Sequence, residues 1–230
     1  MRAFPRALIG ALGLGLMMTV VMPAAAADRL AEADRLIRDA DAIWGQDMVR
    51  IDTLLRHALT LREQALPPGD TNIADTLGML GRNAFNQGQM PDADRWFRRQ
   101  LALEEQARPF SLETARALGD LGATMREECQ LPQAEQLVRR SLALRQALSA
   151  DGIVWWRAGS HDNLSKIHEL MGRLDDAIAD TINAADVMRD TGTAGDMRRR
   201  QYTERLICLR HRLESGAPPC WPTPCPVPIS

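Results

Sequence analysis

Lysine is almost missing from this chain. Lys166 is the single one in 230 residues, so nearly all of the 28 basic residues are arginine. The arginines fall on ordinary helix positions and read as solvated. Aromatics are also scarce, with one Tyr, four Phe and five Trp. Strands favour aromatic and β-branched residues, whereas this chain is rich in Ala and Leu, so the composition predicts an all-α fold with almost no strand. Charge of one sign is not concentrated anywhere. The 28 basic residues are interleaved with 30 acidic ones, which excludes the basic face that nucleic acid requires. Catalytic signatures are missing as well. There is no Gly-rich phosphate loop after a strand, no Gly-x-Ser-x-Gly and no His-Glu-x-x-His, so neither an enzyme nor a cofactor is expected.

The N-terminus has the layout of a secretory leader. Arg2 and Arg6 form a basic start, Ala7 to Val21 is apolar, and Met22-Pro-Ala-Ala-Ala-Ala27 supplies small residues for cleavage near Ala26 or Ala27. The apolar run is about 15 residues, short of the roughly 20 that a spanning helix needs. No Cys follows it, so a lipid anchor is not expected. Residues 1–27 are read as a signal peptide and the mature chain as periplasmic or secreted, with no stable membrane span. Cleavage removes two cations and no acid, taking the net charge from −2 to −4. About 200 residues remain, enough for one continuous domain.

Beyond the leader, one pattern recurs. Met90-Pro-Asp-Ala-Asp-Arg-Trp-Phe-Arg-Arg-Gln-Leu-Ala-Leu-Glu matches the stretch that starts at Leu131, 41 residues on. A looser copy starts at Leu174, a further 43 residues on, and Ala58-Leu-Thr-Leu-Arg matches from Gln100, 42 residues on. Self-similarity of this period marks a solenoid, in which each unit buries its apolar face only against its neighbours. Inside one unit Ile73, Leu77, Leu80 and Ala84 recur at helical spacing. Gly88 interrupts them, and Ala93, Trp96, Phe97 and Leu101 resume the pattern, which gives two helices and a tight turn. Pro91 and Pro132 suit a first helical turn, and Asp175 takes the same place in the next copy, where its charge favours a helix N-terminus. Stop signals at 66–70, 108–111 and 150–152 separate the units, each followed by a candidate N-cap. The resulting organisation is a solenoid over 28–214, with units at 29–66, 71–108, 111–150 and 153–190. An Arg-rich cap helix follows at 195–214, with an apolar stripe of Leu206, Ile207 and Leu209.

Residues 215–230 form a Pro/Cys-rich tail. Six prolines between Pro218 and Pro228 forbid helix and favour an extended segment. Its role stays open among a partner-binding polyproline segment, a stapled cap and a disordered end. Four cysteines allow three pairings in an oxidising compartment. Cys129 replaces a turn Gly, a place expected to lie far from the tail. One bond is therefore expected within the terminal region, among Cys208, Cys220 and Cys225, with four free thiols as the alternative.

Leu80-Gly81, Gly88, Ala93 and Phe97 follow the spacing of the tetratricopeptide repeat. The next copy supplies Leu121-Gly122, Cys129, Ala134 and Val138, and the third Leu164-Ser165, Gly172, Ala177 and Thr181. The period of about 42 residues, Asp70-Thr-Asn-Ile-Ala-Asp-Thr-Leu-Gly-Met-Leu and Trp96-Phe-Arg-Arg-Gln-Leu-Ala-Leu-Glu resemble the kinesin light chain type of this family, here in an exported bacterial form. The likeness covers about 71–190 well and 29–66 weakly. It implies a helix-turn-helix solenoid of about four repeats plus a capping helix, in which Gly81 and Ala93 let two helices approach closely. Gln100 and Ser141 depart from the usual Ala, and Thr181 from a bulky residue, so looser packing is expected in the third of these copies.

The resemblance also implies that a peptide or helix of a partner protein binds in a concave groove lined by first helices. The matching positions are Asp75, Met79 and Arg82, then Arg116, Asp120 and Ala123, then Asn163 and Lys166. The Asn163 amide both donates and accepts along a peptide backbone. Lys166 and Arg82 suit a carboxylate, Arg bidentately. Family members that clamp a chain terminus use Asn with Lys or Arg, but here Met79 and Asp120 occupy matching Asn positions. The function expected is an exported protein–protein adaptor of undetermined oligomeric state. The alternative is a non-catalytic accessory subunit of a cell-envelope enzyme or secretion complex.

Three further features are weighed against plain structural roles. Trp155-Trp156 point about 100° apart on a helix, so either one packs and one anchors an interface, or both cover a seam between units. His161 and His168 share a face two turns apart, too far for one metal ion. Glu104-Glu105, Glu127-Glu128 and Asp175-Asp176 read as solvated faces.

Overall fold

The structure is a computed structural model that describes residues 23–148, 154–189 and 191–220. Among these there are nine helices and no strand: α1 (Ala24–Ala42), α2 (Met48–Ala65), α3 (Thr71–Asn86), α4 (Met90–Ala107), α5 (Leu112–Glu127), α6 (Leu131–Leu148), α7 (Val154–Leu170), α8 (Leu174–Val187) and α9 (Gly192–Ser215). None is long and apolar enough to cross a membrane. Eight of the helices pack as successive pairs, α1 with α2, α3 with α4, α5 with α6 and α7 with α8, and α9 follows against α8. Residues 1–22 of the expected leader, the expected stop signal at 150–152 and Trp221–Ser230 of the tail lie outside the described residues.

Local chemistry sets the helix ends. Asp47 accepts from the backbone N–H of Arg50, Asp70 from that of Asn72 and Ser111 from that of Thr114, so α2, α3 and α5 each begin on a side-chain cap. The turn between paired helices needs a left-handed residue. Gly88 and Gly172 supply it at φ 73° and 74°, and Cys129 stands in the same seat at φ 61°. A side chain there costs on the order of 1 kcal/mol relative to Gly.

Each helix packs against its sequence neighbours, and α5 also touches α3 and α7 directly. No second helix makes comparable contact with another second helix, so the first helices line the inner side of the curve. Within a pair, the crossing is set by small residues. A Cβ on Gly81 would lie 2.5 Å from the Phe97 ring, and one on Gly122 would lie 2.7 Å from Val138 Cγ2. In the fourth pair the seat is polar: Ser165 and Thr181 hydroxyls are 2.7 Å apart, and both donate to the Ala177 carbonyl. Thr181 is 1% exposed, so this pair is not looser but closes on hydrogen bonds instead of a large apolar side chain. Gln100 is likewise accommodated, because Gly78 opens the space its side chain fills.

Buried arginines join one pair to the next. Arg62 on α2 donates to the Asn72 carbonyl and Thr76 hydroxyl of α3 and to Asp34 of α1, at 2.7, 2.8 and 2.9 Å. Arg145 on α6 donates to the Trp156 carbonyl of α7 at 2.8 Å, to Ser160, and to the Ala115 carbonyl of α5 at 3.2 Å. Glu104, in the same seat of the intervening pair, is fully buried and takes Arg108 through both oxygens. These residues correct the reading of every Arg as solvated, and that of Glu104, whereas Glu105 is exposed.

Candidate partner-binding groove

Helices α3 and α5 carry the centre of the inner face. The structure brings Asp75, Met79, Arg82 and Arg116 together around one cavity of about 320 Å³, with Gln100, Arg108 and Glu113. Arg82 is shared with a second cavity of about 230 Å³, lined also by Asp120, Ala123, Trp44, Phe85, Asn86 and Phe97. Six of the eight groove positions expected from the sequence therefore line these two cavities. The aromatic wall was not anticipated. Trp44 comes from the turn between α1 and α2, and Phe97 reaches the inner face over Gly81, the glycine that the sequence already marked as a close approach.

Three guanidiniums converge on one carboxylate. Asp120 lies 3.6 Å from Arg82, and Arg116 and Arg145 act on it through space. Burial pushes the Asp120 carboxyl above the usual range, although all three arginines pull the other way. Burial also lowers Arg82, and it takes Arg145 down to about 10, which leaves Arg145 charged at neutral pH. Asp120 Oδ2 and Arg116 Nε are buried without a hydrogen-bond partner. This part of the groove thus holds more positive than negative charge, with polar atoms still able to bond. At its outer edge Asp75 is half-exposed and takes Arg108 at 3.2 Å.

Asn163 and Lys166 lie apart from these cavities. Asn163 Oδ1 accepts from Arg126 of α5, and Lys166 donates to Asp162 at 2.7 Å on its own helix. These two expected groove residues thus do not join the residues gathered around Arg82. Trp155 and Trp156 are 41% and 47% exposed, so neither is buried in a core. Trp156 sits at the seam of three helices, with the Arg116 and Arg145 guanidiniums 5.0 and 5.7 Å from its ring centre. Trp155 and Trp156 line a cavity of about 290 Å³ with Gly159, Asp162, Arg198 and Tyr202.

At the C-terminal end, Cys208 and Cys220 are placed as a disulfide pair, with Cα atoms 5.8 Å apart. Cys225 lies outside the described residues. The segment after α9 turns back onto α7, where the Cys220 N–H donates to Glu169 at 2.8 Å.

Successive antiparallel helix pairs with an inner groove define an α-solenoid. The sequence profile of the tetratricopeptide repeat family matches residues 72–147, the stretch from α3 to α6. Its fold is similar to the nearly identical TPR-like repeats assigned to a kinesin light chain of Podosopora anserina. That match has a TM-score of 0.59 at 12% identity and covers 84% of this chain and 100% of that one. It is also similar to aspartyl phosphate phosphatase F from Bacillus subtilis, with a TM-score of 0.66 at 15% identity, over 82% of this chain and 47% of that one. No curated protein matches the sequence. At these identities the likeness is one of fold.

Proposed function

We propose that this chain is an exported adaptor that takes an extended segment of a partner protein along the inner face of its solenoid. The tetratricopeptide repeat fold is that of a protein-interaction scaffold. The observation that carries the finer reading is the pair of cavities sharing Arg82. One offers Arg82 and Arg116 to an acidic group, and the other offers Trp44, Phe85 and Ala123 to an apolar side chain. A segment with a carboxylate and an apolar residue one to a few positions apart satisfies both. The leader-like residues 1–27 and the Cys208–Cys220 pairing, which persists in an oxidising compartment, support the exported location. Cleavage near Ala27 leaves Asp28 at the N-terminus of α1, where negative charge is favourable.

The test is affinity capture from a cell-envelope extract with residues 28–230 as bait, against the same bait carrying Arg82→Glu and Arg116→Glu. The bound segment is then mapped by cross-linking and mass spectrometry. The reading expects a partner that cross-links to α3 and α5, is lost on charge reversal at unchanged circular dichroism, and weakens with added salt. A partner kept by the reversed bait overturns it.

A further inference from the structure

His168 stands near the end of α7, 2% exposed, with its ring between two carboxylates from two other helices. Nε2 is 3.0 Å from Glu135 Oε1 of α6. Nδ1 is 2.7 Å from Asp180 Oδ2 of α8, in contact but off the hydrogen-bond direction. The other oxygen of Asp180 lies 3.3 Å from His161 Nδ1, two turns back along α7. Glu135 also accepts from Arg139 of its own helix at 2.7 and 2.9 Å, and from Arg173 of the α7–α8 turn at 3.1 and 3.2 Å. The charged groups facing His168 are therefore Glu135 and Arg139 from α6, Asp180 from α8, Arg173 from the turn and His161 from α7 itself. On α9, Arg205 is engaged by Ser165 and Glu169.

A neutral imidazole carries one N–H and one lone pair, whereas an imidazolium donates from both nitrogens. With a carboxylate at each nitrogen, the neutral ring must turn its lone pair on one of them. We propose that His168 is a proton-held joint: protonated, it ties α6 to α8 across α7, and loss of its proton loosens the fourth helix pair from the third. The proposal stands on this geometry whether or not the groove takes a peptide.

The electrostatics agree. Burial opposes the charged ring, but Asp180 and Glu135 outweigh it and hold His168 above the ordinary histidine value. Despite their own burial, His168 and Arg139 hold Glu135 down to about 2, and His161 and His168 keep Asp180 below its usual range. A histidine raised in the folded state contributes stability that is fully present below its unfolded value, about 6.5, and is lost as pH rises through the folded value. The lowered carboxylates contribute stability above about pH 4, lost as pH falls through their folded values. The joint is thus tightest between roughly pH 5 and 6.5 and weakens on the alkaline side. Helix α7 carries Trp155, Trp156, Asn163 and Lys166, so this end of the inner face moves with the joint while the cavities on α3 and α5 do not.

Hydrogen exchange of the full chain, followed by mass spectrometry from about pH 5.5 to 8.5 and corrected for intrinsic rates, tests this. Protection of α8 (Leu174–Val187) is expected to fall relative to α3 and α4 as pH rises across that range. In His168→Gln the relative protection is expected to be low and flat. Protection of α8 that tracks α3 and α4 at every pH overturns the joint, as does a His168→Gln chain that keeps the pH-dependent fall. A second readout needs no folded variant: the His168 ring, titrated by NMR in the unaltered protein, must stay protonated above the free-histidine value. A ring that titrates at or below that value overturns the proposal.

Discussion

How near two paired helices come is set at single residues that have no side chain to contribute. Gly81 lets the Phe97 ring into the crossing of α3 and α4, and an added methyl would meet that ring at 2.5 Å. Overpacking of this kind costs about 1–3 kcal/mol. Gly159 on α7 has nothing within 4 Å of such a methyl, so the same change there removes only backbone freedom from the unfolded chain. Gly81→Ala is expected to lower the urea midpoint by an amount equivalent to about 1–3 kcal/mol, and Gly159→Ala to raise it by about 0.5–1 kcal/mol. An equal shift for both would mean that helix propensity, not the crossing, decides. The Gly81 seat was legible in the sequence, because a small residue at fixed spacing from a large one states a close approach. The buried arginines were not. Arg62 and Arg145 look like any solvent-facing Arg within their own helices. Their partners are carbonyls of other helices, 10 to 30 residues away, which no helical period reveals. Their register was the available signal, since both stand in the same repeat seat as Glu104. The positions that line the cavities on α3 and α5 recur in the repeat, as those at the crossings do, which is how the sequence could pick them out. That Asn163 is taken up by Arg126 of another helix could not be read that way.

Among the elements, α9 is held by charge more than by an apolar face. Leu209 and Tyr202 are buried, but Ile207, part of the expected stripe, is 66% exposed. The docking instead converges on Glu169, fully buried near the end of α7. It takes Arg205 at 2.8 Å, Arg212 at 2.9 Å and the Cys220 N–H at 2.8 Å. Removing the charge from such a site leaves two guanidiniums without their counter-ion, and breaking a buried pair this way costs about 3–5 kcal/mol. Glu169→Gln is therefore expected to release α9 while α3 to α6 stay folded. Limited trypsin digestion reads this directly: cleavage at Arg198–Arg212 should accelerate by two orders of magnitude or more, roughly the factor that about 3 kcal/mol allows. Cleavage at the unaltered rate would show that apolar packing holds the helix. Reduction of the Cys208–Cys220 pair acts on the same joint, since it frees the segment that presents the Cys220 N–H.

At the scale of the whole molecule, stability is a chain of nearest-neighbour interfaces, and the loss of one end should be felt only locally. The central core runs through α3 to α7, from Ala84 and Phe97 through Leu118 and Val138 to Leu164 and Ile167. The last interface is smaller: Ala158, Ala184 and Met188 are covered by Tyr202 of α9. Ending the chain before α9, at residue 189, uncovers that cluster and strips Glu169 of both arginines. Burial of each large apolar side chain is worth about 1.5–3 kcal/mol, so α7 and α8 lose a large share of what orders them. The cavities that meet at Arg82 draw on α3, α4, α5 and Trp44, and none of their walls is removed. The shortened chain is expected to lose hydrogen-exchange protection in α7 and α8 and to keep it in α3 to α6. It should bind a segment captured by the full chain at Arg82 and Arg116 within about threefold of the original affinity, an energy difference below 1 kcal/mol. Global loss of protection would mean that the four pairs unfold as one unit, with coupling across each interface strong enough that a groove at the centre depends on a cap at the end.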